Sequence, residues 1–169
     1  DLNTKDAHLC AVYEKMELIV PNCTAKGSVV PRIIHSVGRA SQQYIESGVA
    51  ASNPTFRRNR HNDASAAEYI LKFCGGDAAQ AYSCLRPPAY RADLFRFCAL
   101  FGEGGVYLDE DIVPLHPLEN IISLCSLATI GHDFPANGRL AKQMKILAAA
   151  PGSPIMKCAV ETIVNNVRF

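Results

Sequence analysis

With 169 residues, 49% of them hydrophobic and 20% charged, the chain is long enough for one domain with a real core and too short for two ordinary ones. Seventeen basic against sixteen acidic side chains leave a formal charge of +1, without the basic surplus that a nucleic-acid or membrane-surface binder needs. No apolar run approaches the ~20 residues of a transmembrane helix.

Residues 1–27 are polar and weakly patterned, with a possible helix around Ala7–Leu18, and read as an N-terminal arm or stem. The chain begins at Asp1 without a Met, which is read as removal of a leader or anchor, or as trimming. Asn22-Cys23-Thr24 is an N-glycosylation sequon, with Asn22 the acceptor, whereas proline blocks Asn53-Pro54-Thr55. The folded core is expected over 28–169. Its first buried strand is "VVPRIIHSV" (29–37), β-branched and apolar on both faces. A helix over 41–52 ends at Asn53-Pro54, and "TFRRNRH" (55–61) is a second strand despite its basic side chains.

Asp63 and Ser65 offer N-caps for the helix "AAEYILKFC", which Gly75-Gly76 stops. A short helix from Asp77 to about Leu85 closes at Pro87-Pro88. The helix Tyr90–Phe101 ends at Gly102 and leads through Gly104 and Gly105 into the strand Val106–Leu108. A further strand, "SLATIG" (126–131), precedes helical stretches at 139–149 and 154–167. The last of these has Ser153 as cap, Pro154 at its first position and Ile155, Ala159 and Ile163 along one face. Strands alternating with helices predict an α/β fold with a largely parallel, Rossmann-like sheet.

Seven cysteines without a CxxC pair, and with no histidine pair at zinc-finger spacing, argue for disulfides over a structural zinc site. An odd count leaves at least one thiol over. Cys98 is expected to be free because it lies among Leu94, Phe95, Leu100 and Phe101 on an apolar helix face. At least one disulfide is expected, within Cys10–Cys23 or Cys74–Cys84, each closing a loop of modest length between polar segments.

The stretch that points to chemistry is "RADLFRFCALFGEGGVYLDEDIVPL" (91–115), where Asp109, Glu110 and Asp111 follow an apolar strand. Three adjacent carboxylates repel one another unless a cation shares them. In an open α/β sheet, ligands bind off the carboxyl ends of the strands, where these acids fall. A strand period of two would put Asp109 and Asp111 on one side and Glu110 on the other. Two hard carboxylates suit Mn2+ or Mg2+, with water and substrate phosphate completing the shell. On the preceding helix, Asp93 and Arg96 are three apart and share a face, opposite Leu94, Cys98 and Phe101. An arginine and an acid aimed at a metal-carboxylate pair suit a polar, hydroxyl-rich, anionic ligand.

"RPPAYRADLFRFCALFGEGGVYLDEDIVPLHPLENI" (86–121) closely resembles the DXD region of glycosyltransferase family 32, mannosyltransferases and related sugar transferases with a GT-A fold. The similarity extends to "VPRIIHS", "NPTFRRNRHNDASAAEYI" and "AAAPGSPIMKCAVETI", covering about residues 29–165. The resemblance implies that 28–169 is a GT-A catalytic core transferring a hexose, with retention, from a UDP- or GDP-sugar to a glycan or other hydroxyl acceptor on a glycoprotein or glycolipid. It implies that Asp111 ligates Mn2+ or Mg2+ directly, and that Asp109 does so through water or holds the ribose. Asp93 and Arg96 match the residues that hold the donor-sugar hydroxyls. Ile34 and His35 would belong to the nucleotide pocket, Tyr90 and Arg91 would border it, and Gly105 and Tyr107 would lie on the donor side. Gly104 and Gly105 have a backbone role in the tight turn. No residue identifies itself as a covalent nucleophile, so the resemblance implies front-face transfer. The expected compartment is the secretory-pathway lumen, in the Golgi.

The chain departs from the family pattern in lacking tryptophan, with Val37 and Arg60 standing near the usual positions. Met144 falls where asparagine is common, and Ser153 replaces the His of Pro-Gly-His-Pro. Family members usually continue beyond this point, so a C-terminal segment or partner chain is expected to complete the metal site. Within the chain, only His116, His132 and Asp133 offer themselves as late ligands, and an ordinary polar turn competes for the last two. Two rival readings use the same letters. "DEDIV" satisfies the Asp-x-Asp-x-Val signature of haloacid-dehalogenase-type phosphatases, but comes too late in the chain for them. A GT-A domain kept as a non-catalytic structural or binding module is the other.

Overall fold

The computed structural model describes residues 28–38, 43–133 and 141–167. Its elements in chain order are β1 (Ile33–Val37), α1 (Gln43–Ser52), β2 (Arg57–His61), α2 (Asp63–Cys84), α3 (Pro88–Gly102), β3 (Gly105–Leu108), α4 (Leu118–Ile121), β4 (Ala128–Asp133), β5 (Ala141–Ala149) and α5 (Pro154–Val167). The strands form one sheet in the order β2-β1-β3-β5-β4. β1 pairs in parallel with β2 and β3, while β5 pairs antiparallel with β3 and β4, so four of the five strands run the same way. This is the expected α/β architecture of GT-A type, a mostly parallel sheet flanked by helices.

The period of two along each strand feeds two cores, one on each face. Tyr107, Leu147 and Ala149 point to the face covered by α2, α3 and α5, joining Tyr69, Ile70, Leu94, Phe95 and Met156. Ile34, Val106, Leu108 and Ala148 point the other way, onto Val49 of α1, Phe56, and Leu118 of α4. All four residues of β3 are buried, as expected for a strand at the centre of a sheet covered on both sides.

Several local expectations are corrected. Residues 139–149 were expected to be helical, yet 141–149 form β5. Alanine, lysine, methionine and leucine favour helix intrinsically, but the segment is inserted between β3 and β4, and ladder pairing on both edges overrides propensity. The cap of α2 is Asn62, neither Asp63 nor Ser65: the Ser65 N–H donates to Asn62 Oδ1 (2.9 Å) and the Asn62 N–H donates to Ser65 Oγ (3.1 Å), a reciprocal capping box. Gly75 breaks the helical geometry at φ 85°, but the chain resumes it at once, so the two expected helices form one kinked element. Helix α3 starts at Pro88, earlier than Tyr90, with proline in the first turn where its missing N–H costs nothing. In α5 the buried stripe is Met156, Val160 and Val164, one residue beyond the expected face, with Ile155 and Ile163 packed at its margin. Ser153 serves that helix through its carbonyl, which accepts from the Lys157 N–H (3.0 Å); its Oγ is buried with no partner among the described residues.

The cysteine expectations also change. Cys98 is not free; it is joined to Cys74, Cα to Cα 6.0 Å, and Cys84 is the exposed free thiol among the described residues. The kinked α2 and the following α3 pack side by side, which brings Cys74 to the buried face that carries Cys98. Cys125 and Cys158 are disulfide-bonded as well. Asn22, the arm at 1–27, and Cys10 and Cys23 lie outside the described residues.

Candidate functional site

Because β1, β2 and β3 are parallel, their carboxyl ends share one edge of the sheet, and the acidic stretch lies there. The strand ends at Leu108. The Asp109 N–H still donates to the Lys145 carbonyl of β5 (3.0 Å), but the Ile112 N–H then folds back to the Asp109 carbonyl (3.0 Å). The acids therefore occupy a turn, and the strand alternation expected to align Asp109 with Asp111 does not extend to them.

Each acid meets a different cation from a different element. Asp109 Oδ1 accepts from the Tyr107 hydroxyl (2.8 Å) and lies 3.4 Å from Arg96 of α3. Glu110 accepts from Arg60 Nε of β2 (2.7 Å), and Asp111 from Lys145 Nζ of β5 (2.9 Å). Arg96 is the hub. It is 5% exposed, pairs with Asp93 one turn back (3.0 Å), donates to the Met144 carbonyl and lies over the Tyr107 ring at 4.9 Å. Asp93 and Arg96, three residues apart, meet on one helix face, and Asp109 is drawn into the same group. Burial is the main cause holding the Tyr107 hydroxyl well above its ordinary pKa; Arg96 opposes it and Asp109 reinforces it, so the group stays a hydrogen-bond donor.

Two glycines permit close approaches, one at each end of the central strands. A Cβ on Gly38, just past β1, would stand 1.8 Å from a carboxylate oxygen of Glu110. Gly105 has φ 103°, and a Cβ there would meet the Ile33 carbonyl oxygen at 2.5 Å, so β3 can lie against β1 only without a side chain at that point. Gly105 starts β3, at the end of the strand away from the acids.

Beside the acids, a cleft of about 240 Å3 opens at the carboxyl end of β1, lined by Val37, Gly38, Asp63, Tyr82, Pro88, Arg91 and Ala92. Arg91 is braced against its wall, donating to the Leu85 carbonyl (2.9 Å) and Asp63 (3.1 Å) with its guanidinium 5.2 Å from the Tyr82 ring centre. Tyr90 is exposed at its border. Asp93 and Arg96 follow Ala92 within about one helical turn.

Ile34 and His35 have no exposed surface. Ile34 belongs to the core. His35 Nε2–H donates to the Gly104 carbonyl (2.9 Å), and its Nδ1 lies 3.3 Å from the amide nitrogen of Asn59. Burial lowers its pKa to about 4, so the imidazole is neutral. His116 is exposed, and the side chains of His132 and Asp133 lie outside the described residues.

No group of three or more His, Cys, Asp or Glu side chains is poised for a metal among the described residues. The chemistry of the donor set still fits Mn2+ or Mg2+, which commonly take one or two carboxylates and leave the rest to phosphate and water. Sequence reasoning missed Arg60 and Lys145 as partners of the acids. The basic run in β2 carried the first signal, but the second lay in a segment read as helix.

Residues 32–126, more than half the chain, match the family described as "Glycosyltransferase sugar-binding region containing DXD motif". An initiation-specific alpha-1,6-mannosyltransferase of Candida albicans is 45% identical over 47 residues, 28% of this chain. The enzyme of the same name from Schizosaccharomyces pombe is 33% identical over 92 residues, 46% of this chain. The matched stretches span 12% and 23% of the length of those proteins. No described helix is long and apolar enough to cross a membrane. The chain belongs to the glycosyltransferases that carry a DXD-containing sugar-binding region.

Proposed function

We propose that this chain binds a nucleotide-activated hexose, a UDP- or GDP-sugar, and transfers the sugar with retention to a hydroxyl of a glycan on a glycoprotein or glycolipid, in the lumen of the secretory pathway and specifically the Golgi. The observation that carries the reading is Arg96, buried between Asp93 and Asp109 at the carboxyl edge of the sheet in a chain of this family. The names of the two relatives and the Cys74–Cys98 disulfide, a bond typical of oxidising compartments, support the acceptor class and the compartment.

In this reading Asp93 accepts hydrogen bonds from donor-sugar hydroxyls. Arg96 holds Asp93 and Asp109 in place and presents positive charge to the departing phosphate side. The cleft at Val37, Tyr82 and Arg91 receives the nucleoside. Asp109 and Asp111 would hold a Mn2+ or Mg2+ ion, whose chemistry is to neutralise the diphosphate and the charge developing on it as the bond to the sugar breaks. Front-face transfer is the proposed route.

A thermal-shift panel of UDP- and GDP-sugars with Mn2+ tests the reading, with stabilisation by one nucleotide class expected. Equal stabilisation in EDTA overturns the metal role. In calorimetry, Asp93→Ala should weaken the sugar nucleotide more than the free nucleoside diphosphate, and equal losses overturn its sugar contact. The second reading, a non-catalytic binding module, is favoured by one observation: every acid of the motif is already paired inside the protein. Donor binding without hydrolysis or transfer in Mn2+ selects it.

A further inference from the structure

We propose that Lys145 is a displaceable counter-ion of the acidic turn: its ammonium holds Asp111 until a divalent cation arrives, then turns to the diphosphate of the incoming donor. The inference rests on the metal reading of Asp111 given above.

Three observations carry it. The first is the contrast among the three ion pairs of the turn. Side-chain exposure is 6% and 22% for Arg96 and Asp109, 29% and 22% for Arg60 and Glu110, but 46% and 60% for Lys145 and Asp111. An exposed pair is weak, so a divalent ion can displace this ammonium far more readily than the buried guanidinium. The second is that the base of Lys145 cannot drift. Its carbonyl accepts from the Asp109 N–H (3.0 Å), which holds its backbone beside the first acid of the motif, so that any change of partner is made by the side chain. The third is chemical. Lysine is a compact charge on a flexible four-carbon stem, able to change partner within one site, whereas the Arg96 guanidinium is committed to Asp93, Asp109, and the Met144 carbonyl.

The consequence is an exchange of partners. Without a cation, Lys145 offsets the charge of Asp111 and relieves the repulsion within Asp109, Glu110 and Asp111. With a cation on Asp111, the ammonium and the ion repel, and the ammonium is released at the edge of the sheet where a diphosphate must lie to share that ion. One side chain therefore opposes the bare metal and favours the diphosphate. No covalent step is involved.

The test uses two probes on the full chain, in the wild type, Lys145→Gln and Asp111→Asn. Mn2+ alone is titrated against nucleotide-free protein and the unbound ion followed by electron paramagnetic resonance. Pyrophosphate is then titrated by calorimetry in saturating Mn2+. Lys145→Gln should bind bare Mn2+ about two- to fivefold tighter, the size of an exposed ion pair, and bind pyrophosphate more weakly. Opposite signs from one substitution are the signature, and an unchanged or same-signed pair of affinities overturns the inference. Asp111→Asn should lose most of the Mn2+ binding. Loss there with no change in Lys145→Gln overturns the role of Lys145 alone, while Mn2+ binding indifferent to Asp111→Asn overturns the metal reading of Asp111 and this inference with it.

Discussion

The middle of α3 and its far end carry opposite solutions to the same electrostatic problem. Midway along the helix, Arg96 is a buried cation that gathers carboxylates, and the neighbouring pairs join four acids, Asp93, Asp109, Glu110 and Asp111, to three cations. Just past its end, Glu103 is an anion that gathers donors: the Tyr69 hydroxyl at 2.8 Å, Arg57 at 3.2 Å and Asn59 at 3.3 Å. The Glu103 group sits at the amino edge of the sheet and ties α3 to β2 and α2. It closes on itself: burial pushes the Glu103 carboxyl up, but the hydrogen bond from Tyr69 and the charge and hydrogen bond of Arg57 outweigh it and hold the carboxyl below the usual range. The Arg96 group sits at the carboxyl edge and keeps a surplus acid facing water. A satisfied network fixes a fold; an over-supplied one is ready for another cation.

The largest effect should come from removing the hub. Arg96→Ala leaves Asp109 and Asp93 without their buried cation and the Met144 carbonyl without its donor, which together should cost about 4 kcal/mol in urea unfolding. A loss under about 1 kcal/mol would mean that Arg96 serves the ligand and not the fold. Next in size is the Cys74–Cys98 bridge, which fastens α3 between Arg96 and Glu103. Cys74→Ser with Cys98→Ser should lose about 3 kcal/mol, the chain-entropy value for a loop of this length, whereas Cys84→Ser should change nothing. Equal melting of all three proteins under non-reducing conditions would refute the pairing.

The amino-edge network makes a prediction about pH. His35 titrates at about 4 in the folded chain, chiefly through burial, against 6.5 in the unfolded one. Between those values the unfolded chain binds a proton that the folded chain does not, so stability present above pH 6.5 is lost as the pH falls toward 4. The shift corresponds to a loss on the order of 2–3 kcal/mol over that window. Urea midpoints of His35→Gln, measured from pH 7 to 4, should fall less steeply than those of the wild type. Parallel curves would show that His35 is not the group responsible.

How much of this could be seen in the sequence divides along the same line. Local signals were sound: the strand Val106–Leu108, the Gly75 break and the three-residue spacing of Asp93 and Arg96 each depend on neighbours in the chain. What depended on partners was hidden. β5 carries helix-forming residues and becomes a strand only because β3 and β4 flank it. The acids leave strand geometry because a turn closes on Asp109, and their cations come from α3, β2 and β5. Glu103 drew no attention at all, since its three donors lie 34 to 46 residues away.

The smallest effect on stability should accompany the most specific effect on binding. Asp111 is the most exposed acid of the turn, and its pair with Lys145 is an open one, worth at most about 1 kcal/mol. Asp111→Asn removes that pair but also relieves repulsion from Asp109 and Glu110, and the two terms oppose each other. The folded stability should therefore move by less than about 1 kcal/mol, well below the change for Arg96→Ala. The Mn2+-dependent part of the thermal shift with a nucleotide sugar should nevertheless vanish. The two substitutions thus separate the roles gathered at one edge of the sheet, with Arg96 carrying the fold and Asp111 the cation. A variant that unfolds as readily as Arg96→Ala, or that keeps its Mn2+-dependent shift, would break that separation.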